Sequence, residues 1–334
     1  MILRMTAACN NHCFFCIVDD EIARSRFRPT ADLIAEVDAA APDECIDIFG
    51  GEPTIDPSFW PVVAHVLGSG RRLTIASNVR AFAKEKLAQR LADLGGDRVI
   101  VRTTLMADEA ELHDRLNLAR GAYDQTVRGI ANLARSGLDI RANMVLLREN
   151  LGCITGTALV AFAAGVTSFK ISGAVRTAKF PGSIPDPSDV RAAISAAASV
   201  LVALGLPFKF EKLPLCLAGK GAEHAWRVQA EDKRALEPFF MPVEACRRCA
   251  LAPACAGGER GAIALFGDAW ADPAARPSPD WTVDLDWREL ATAQLPGHTR
   301  FVRVERDGLA LEELAECGAA IAAFARGHGG ISVI

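Results

Sequence analysis

Apolar positions in this chain follow two alternating rhythms over its first two hundred residues. Short apolar or β-branched runs occur at Leu3–Thr6, Cys45–Phe49, Arg72–Ala76, Arg98–Thr104, Ile140–Leu147 and Ser168–Ser172. Each is long enough for a buried parallel strand and too short for a helix. Helical spacing fills the intervals at Ala31–Ala40, Pro57–Leu67, Ala83–Leu94, Tyr123–Ser136 and Ile154–Ala164. One more helix, Asp189–Leu204, follows the proline-rich stretch Pro181–Pro187. Six strand–helix units with short connections predict an α/β fold: a parallel sheet with right-handed crossovers. Six units rather than eight predict a partial, open (β/α)6 barrel, with ligands at the C-terminal ends of its strands.

After the barrel the pattern changes. A further strand is expected at Phe208–Glu211, followed by a cysteine-rich segment. Asp272–Asp280 reads as a loop rich in proline and alanine, Phe301–Val304 as a strand, and Leu309–Ala325 as a helix. The expected organisation is a core over residues 1–205, a small cysteine-rich domain over 206–260, and an α+β extension of unnamed role over 261–334. At 334 residues the chain can support one large domain and a smaller one. Its net charge of −4, with acids and bases well mixed, gives no sign of a nucleic-acid surface. The opening MILRMT lacks the basic and apolar regions of a secretory signal. The apolar run Ala192–Leu206 is too short to span a bilayer. Ten cysteines in such a context favour metal ligation over disulfides and a reducing, cytoplasmic location.

Three of those cysteines lie in Cys9-Asn-Asn-His-Cys13-Phe-Phe-Cys16, with no fourth nearby. A 4Fe–4S cubane has four irons to ligate, so three thiolates leave one iron open to a small molecule. A helix would also bring cysteines at i, i+4 and i+7 onto one face. Asn10, Asn11 and His12 make that helix a poor one. Further on, the apolar run Cys45–Phe49 ends in Gly50-Gly51-Glu52-Pro53-Thr54. Paired glycines at a strand end allow close backbone approach to a ligand, and Glu52 with its neighbouring carbonyls offers acceptors for an ammonium group. A simple turn before a helix is the other reading of that segment.

Together, CxxxCxxC after a short first strand and GGEP after the second resemble the radical S-adenosylmethionine (SAM) family. The resemblance covers roughly residues 1–205 and implies the partial barrel as core fold. It implies that Cys9, Cys13 and Cys16 ligate a 4Fe–4S cluster whose open iron binds SAM. It also implies that Gly50, Gly51, Glu52 and Pro53 hold the methionine amine. Phe15 matches the aromatic before the last cysteine, near the adenine. Ser77 and Asn78 match the polar turn after strand three, Thr103 and Thr104 the ribose contact after strand four, and Asn143 the polar residue of strand five. His113-Asp114 with Gly121-Ala-Tyr123 is similar to a stretch in peptide-modifying relatives, although Arg115 stands closer to Asp114 than their arginine does. Helix caps and solvated strand ends use these residue types as well.

A third constellation, Cys246-Arg-Arg-Cys249 with Cys255, is preceded by the distant Cys216. Four thiolates suit a closed tetrahedral or cubane site. The spacing resembles the auxiliary-cluster modules of the SPASM or twitch type, which implies a second 4Fe–4S cluster; structural zinc is the competing reading. Cys45 and Cys317 read as core residues. Cys153 opens a helix whose positive end can lower a thiol pKa, with burial as the alternative.

The family resemblance implies reductive cleavage of SAM and hydrogen abstraction from substrate, with an electron donor such as flavodoxin or ferredoxin. The expected substrate is a ribosomally made peptide that receives a thioether, carbon–carbon or related oxidative change, the auxiliary cluster accepting the electron. A dehydrogenase or rearranging enzyme on a small metabolite uses the same parts. A non-enzymatic zinc or iron–sulfur protein is the alternative of another class. No catalytic acid–base pair stands out.

Overall fold

The computed structural model describes residues 1–17, 27–218, 236–249, 252, 255–267, 288 and 320, and the strand segments 282–285, 301–304 and 332–333. The chain divides into two compact units, Met1–Glu211 and Lys212–Ile334.

The first unit is a parallel sheet in sequential order. Its strands are β1 (Ile2–Arg4), β2 (Ile46–Phe49), β3 (Leu73–Ala76), β4 (Val99–Thr104), β5 (Asp139–Leu146), β6 (Ser168–Gly173) and β7 (Phe208–Glu211). The first six match the expected strands within two residues. The seventh, expected outside the barrel, pairs in parallel with β6, Phe169 opposite Phe208. Helices connect the strands: α1 (Thr30–Ala39), α2 (Phe59–Gly68), α3 (Glu85–Gly95), α4 (Ala110–Asn117), α5 (Ala122–Arg135), α6 (Ile154–Ala164) and α7 (Pro187–Ala203). Pro187 at the first turn and Asp186, which accepts the Ser188 amide at 2.8 Å, start α7 cleanly. α4 carries little periodic signal, because it is short and mostly polar.

Burial alternates along β1 to β5, whereas β6 ends in three consecutive buried residues. Ile46, Ile48, Leu73, Ile75, Val99, Val101, Ile140 and Met144 are buried. The intervening residues form the second, more open face, where Arg102 reaches Asp47 at 2.5 Å. The sheet therefore has one apolar side and one polar side, unlike a barrel packed on both faces.

The second unit contains α8 (Leu215–Ala218), β8 (Phe240–Met241), β9 (Gly258–Glu259) and α9 (Arg260–Phe266). β8 and β9 pair antiparallel, whereas β10 (Thr282–Leu285), β11 (Phe301–Val304) and β12 (Ser332–Val333) form a small parallel sheet. The expected strand Phe301–Val304 coincides with β11. The expected loop Asp272–Asp280 and, Ala320 apart, the helix Leu309–Ala325 with Cys317 fall outside the described residues. Among the described residues no helix is long and apolar enough to cross a membrane.

Gly129 in α5 yields a stability test. A Cβ there would lie 2.2 Å from the Val79 carbonyl oxygen. Alanine ordinarily gains about 1 kcal/mol over glycine in a helix, but here overpacking reverses the sign. Gly129→Ala is expected to destabilise by about 2 kcal/mol. Gly152→Ala, with open space around it, serves as the neutral control in urea denaturation.

Candidate functional site

The three N-terminal cysteines lie on the loop that leaves β1, at the C-terminal end of the sheet, and all three are half-buried. The loop is not a helix; its local turn is closed by the Cys16 amide on the Cys13 carbonyl at 3.1 Å. The Cys9 sulfur accepts the Asn11 amide at 3.4 Å. The Cys13 thiol donates to Asn117 Oδ1 at 3.0 Å, and the His12 amide donates to the Asn117 carbonyl at 3.0 Å. Burial, reinforced by Cys16 and Cys9, pushes the Cys13 thiol up to about 12. Burial also raises Cys9, with Glu52 and Cys16 adding to it.

Gly50 and Gly51 have a physical reason that their sequence did not reveal. A Cβ on Gly50 would stand 2.1 Å from the Thr6 carbonyl oxygen, and one on Gly51 2.1 Å from that of Ala8. Both glycines thus let the chain running into Cys9 press directly on the end of β2. The Gly51 amide donates to Thr6 and the Glu52 amide to Ala8, each at 2.8 Å.

Glu52 is fully buried. Its carboxylate accepts the Thr54 amide (3.0 Å) and hydroxyl (2.6 Å), the Ser77 hydroxyl (2.8 Å) and the Asn78 amide (2.6 Å). Burial raises its pKa, while these four bonds pull it down. Pro53 is buried and opens the short 3-10 turn Pro53–Ile55. Asn78 continues to the cysteine loop, its Nδ2 donating to Asn10 Oδ1 at 2.6 Å.

Phe15 stands edge-to-face with Phe14 at 5.6 Å, and both pack on Met106, Leu112, Leu116 and Leu147. Thr103 is buried and its hydroxyl finds no hydrogen-bond partner among the described residues. Thr104 and Asn143 pair across β4 and β5 on the open face, and Asn143 Oδ1 accepts the Ser172 hydroxyl at 2.6 Å.

His113 and Asp114 lie on α4. Asp114 accepts the Gly121 and Tyr123 amides and so caps α5. His113 Nδ1 accepts the Met106 amide at 3.2 Å, and burial lowers its pKa to about 4. Arg115 is exposed and reaches Glu111 at 3.7 Å. Asn117 and Arg80, neither of them anticipated, touch the cysteine loop directly. Arg80 Nη1 donates to the Asn10 carbonyl and to Asn11 Oδ1, each at 2.6 Å. Neither carries a local signal, because their partners are remote in sequence.

In the second unit, Cys246 and Cys249 occupy the 3-10 turn Glu244–Arg248 and its end, Cys216 lies in α8, and Cys255 precedes β9. The four line one apolar cavity of about 40 Å³ with Leu215 and Val243. That is room for several water-sized bodies. The Cys255 sulfur accepts the amides of Leu215 (3.5 Å) and Gly257 (3.4 Å). Burial raises its pKa, helped by Cys246 and Cys249. Gly257, at φ +89°, is required where a Cβ would meet the Met241 carbonyl oxygen at 2.3 Å.

Among the described residues no three His, Cys, Asp or Glu side chains converge tightly enough to hold a single metal ion. A tetrahedral zinc needs its thiolates about 2.3 Å from one point. A cluster takes each thiolate on a different iron, so its ligands stand farther apart, and all-sulfur donors suit it. Each cysteine group offers an all-sulfur donor set, the chemistry that iron–sulfur clusters and zinc both take.

Cys45, expected in the core, is exposed. It precedes β2 and shares the parity of Asp47 and Phe49, away from the buried Ile46 and Ile48. Cys153 is half-buried before α6, and burial raises its pKa.

His113 sets a pH dependence. Its folded pKa is depressed, so between pH 6.5 and 4 the unfolded chain binds more protons, and stability falls as pH falls. The expected loss across that window is on the order of 3 kcal/mol. His113→Gln, which keeps an acceptor but cannot charge, should flatten that part of the stability–pH curve.

Residues 3–159 match the model of the Radical SAM superfamily. Over 167 residues the chain is 29% identical to the mycofactocin maturase MftC of Mycobacterium tuberculosis (strain ATCC 25618 / H37Rv), covering 49% of this chain and 41% of that protein. Over 182 residues it is 25% identical to the AdoMet-dependent heme synthase of Methanosarcina barkeri, covering 52% and 50%. The chain thus spans half or less of these relatives' length. Among solved structures, Streptococcus suis SuiB bound to precursor peptide SuiA superposes with a TM-score of 0.50 at 15% identity, covering 71% of this chain and 51% of that one. That likeness concerns the fold. Residues 3–159, just under half of the chain, are therefore similar to a Radical SAM superfamily domain.

Proposed function

We propose that this protein is a radical SAM enzyme that modifies a peptide. The observation that carries the reading is three half-buried thiols on one loop at the C-terminal end of a parallel sheet, braced by Gly50, Gly51 and Glu52. In this reading Cys9, Cys13 and Cys16 ligate a 4Fe–4S cluster. Phe15, Gly50, Gly51, Glu52, Pro53, Ser77, Asn78, Thr103 and Asn143 form the surroundings of SAM. When bound, the cluster supplies one electron to the SAM sulfonium, giving methionine and a 5′-deoxyadenosyl radical that takes hydrogen from substrate.

The chain's own work is to hold and shield. Glu52, already bonded to Thr54, Ser77 and Asn78, keeps the ends of β2 and β3 in one arrangement rather than reaching outward. Phe14 and Phe15, packed on Leu112 and Leu147, keep water from one side of the loop. Asn143 and Ser172 present polar groups on the open face of β5 and β6.

A peptide substrate is supported by the maturase relative and by the fold shared with the peptide-bound SuiB. A small-metabolite substrate is the second reading, supported by similarity to the heme synthase. Residues 206–260 act in this proposal as an auxiliary SPASM- or twitch-like domain. Cys216, Cys246, Cys249 and Cys255 would hold a second 4Fe–4S cluster, which would supply an acceptor for one electron from the oxidised substrate. A flavodoxin or ferredoxin in a reducing cytoplasm serves as donor.

Anaerobic reconstitution with iron and sulfide, then dithionite and SAM, is expected to yield 5′-deoxyadenosine. Cys13→Ala should abolish it, and absence of product from loaded wild-type protein overturns the proposal. Cys249→Ala should still cleave SAM yet give no modified substrate. Undiminished modification by that variant would remove the role given to the second cluster.

A further inference from the structure

We infer that Arg80, Asn117 and Arg176 are positioning residues that fix the three-cysteine loop from three sides before any cluster binds. The inference rests on the function proposed above for what the loop holds, but its geometry stands independently. Arg80 reaches the early part of the loop, at the Asn10 carbonyl and Asn11 Oδ1. Its Nε is itself anchored on Gln125 Oε1 of α5 at 2.7 Å, and its amide on Asn78 Oδ1 at 3.1 Å. Asn117, at the end of α4, takes the middle of the loop through the His12 amide and the Cys13 thiol. Arg176, beyond β6, donates from Nη1 to the Ile17 carbonyl at 2.9 Å, one residue past Cys16.

Each gripping residue stands at or beside a left-handed backbone position. Among the described residues four non-glycine residues have positive φ, and three of them are Val79 (55°), Leu118 (47°) and Arg176 (59°). Such conformations are unfavourable for residues with a Cβ, most of all for a β-branched one. They persist where surrounding contacts enforce them, and they concentrate at functional sites. Val79 is fully buried, its amide bonded to Ser77 Oγ at 2.9 Å and its carbonyl given room by Gly129. The left-handed turn at Val79 separates Asn78 from Arg80, and both residues bond to the cysteine loop. Strain is thus concentrated where the loop is held. Holding it so removes conformational freedom that cluster assembly would otherwise have to remove.

The test is amide hydrogen exchange on the full-length, reduced, metal-free chain, comparing wild type with Arg80→Gln, Arg80→Lys and Arg176→Gln. Expected are exchange over residues 9–17 faster by about tenfold or more in each variant and unchanged exchange in β4 and β5. Arg80→Lys should behave like Arg80→Gln, because lysine keeps the charge but has no second nitrogen to anchor on Gln125 while the first bonds the loop. After reconstitution the variants should also show altered EPR g-values for the reduced cluster, which a general loss of stability would not produce. Unchanged loop exchange in both glutamine variants overturns the inference, as does a wild-type loop that exchanges like an unstructured peptide. If the loop responds as expected but wild-type protein takes up no iron and sulfide, the positioning role stands and the proposed function fails. If wild type loads and cleaves SAM while the loop is indifferent to these substitutions, the proposed function stands and this inference fails.

Discussion

One buried carboxylate ties three strand ends together. Glu52 sits in a place from which water is excluded, where an ionised carboxylate costs several kcal/mol unless it is well bonded. Hydrogen bonds to a charged group contribute roughly 1.5–3 kcal/mol each. The Glu52 carboxylate accepts four, from Thr54, Ser77 and Asn78. Its own amide binds Ala8, one residue before the first cysteine of the loop. Moving any of these groups leaves others unsatisfied, so the exits of β1, β2 and β3 hold one mutual arrangement. The glycines before Glu52 make this possible, since any side chain there would collide with Thr6 or Ala8.

The same economy explains the stretch around His113. Asp114 caps α5, Tyr123 donates from its hydroxyl to the Asp108 carbonyl at 2.6 Å, and His113 remains neutral as an acceptor for Met106. These residues orient α4 so that Asn117 faces the cysteine loop. Their contribution to the site is made through the helix they position.

In the second unit the antiparallel pairing of β8 with β9 closes the segment that carries Cys246, Cys249 and Cys255. Backbone amides of Leu215 and Gly257 point at the Cys255 sulfur. In the proposed reading, amides aimed at this sulfur would help set the potential of the cluster it holds. An apolar cavity is lined by all four of these cysteines.

Much of this was legible along the chain because it depends on local periodicity. α6 runs from Ile154 to Ala164, as its spacing predicted, and six strands fell within two residues of expectation. The cysteine triplet and the Gly-Gly-Glu turn were visible as short motifs whose chemistry is carried by residue type and spacing. Tertiary structure decided the rest. It alone showed that Cys45 faces outward by the parity of its strand, that β7 joins the sheet, and that both glycines yield space to protein backbone. It also brought Arg80 to Asn10, seventy positions away. Period and composition encode which face of a segment is apolar; they hold no information on which remote side chain completes a loop, because that partner is chosen only when the sheet closes the distance between them.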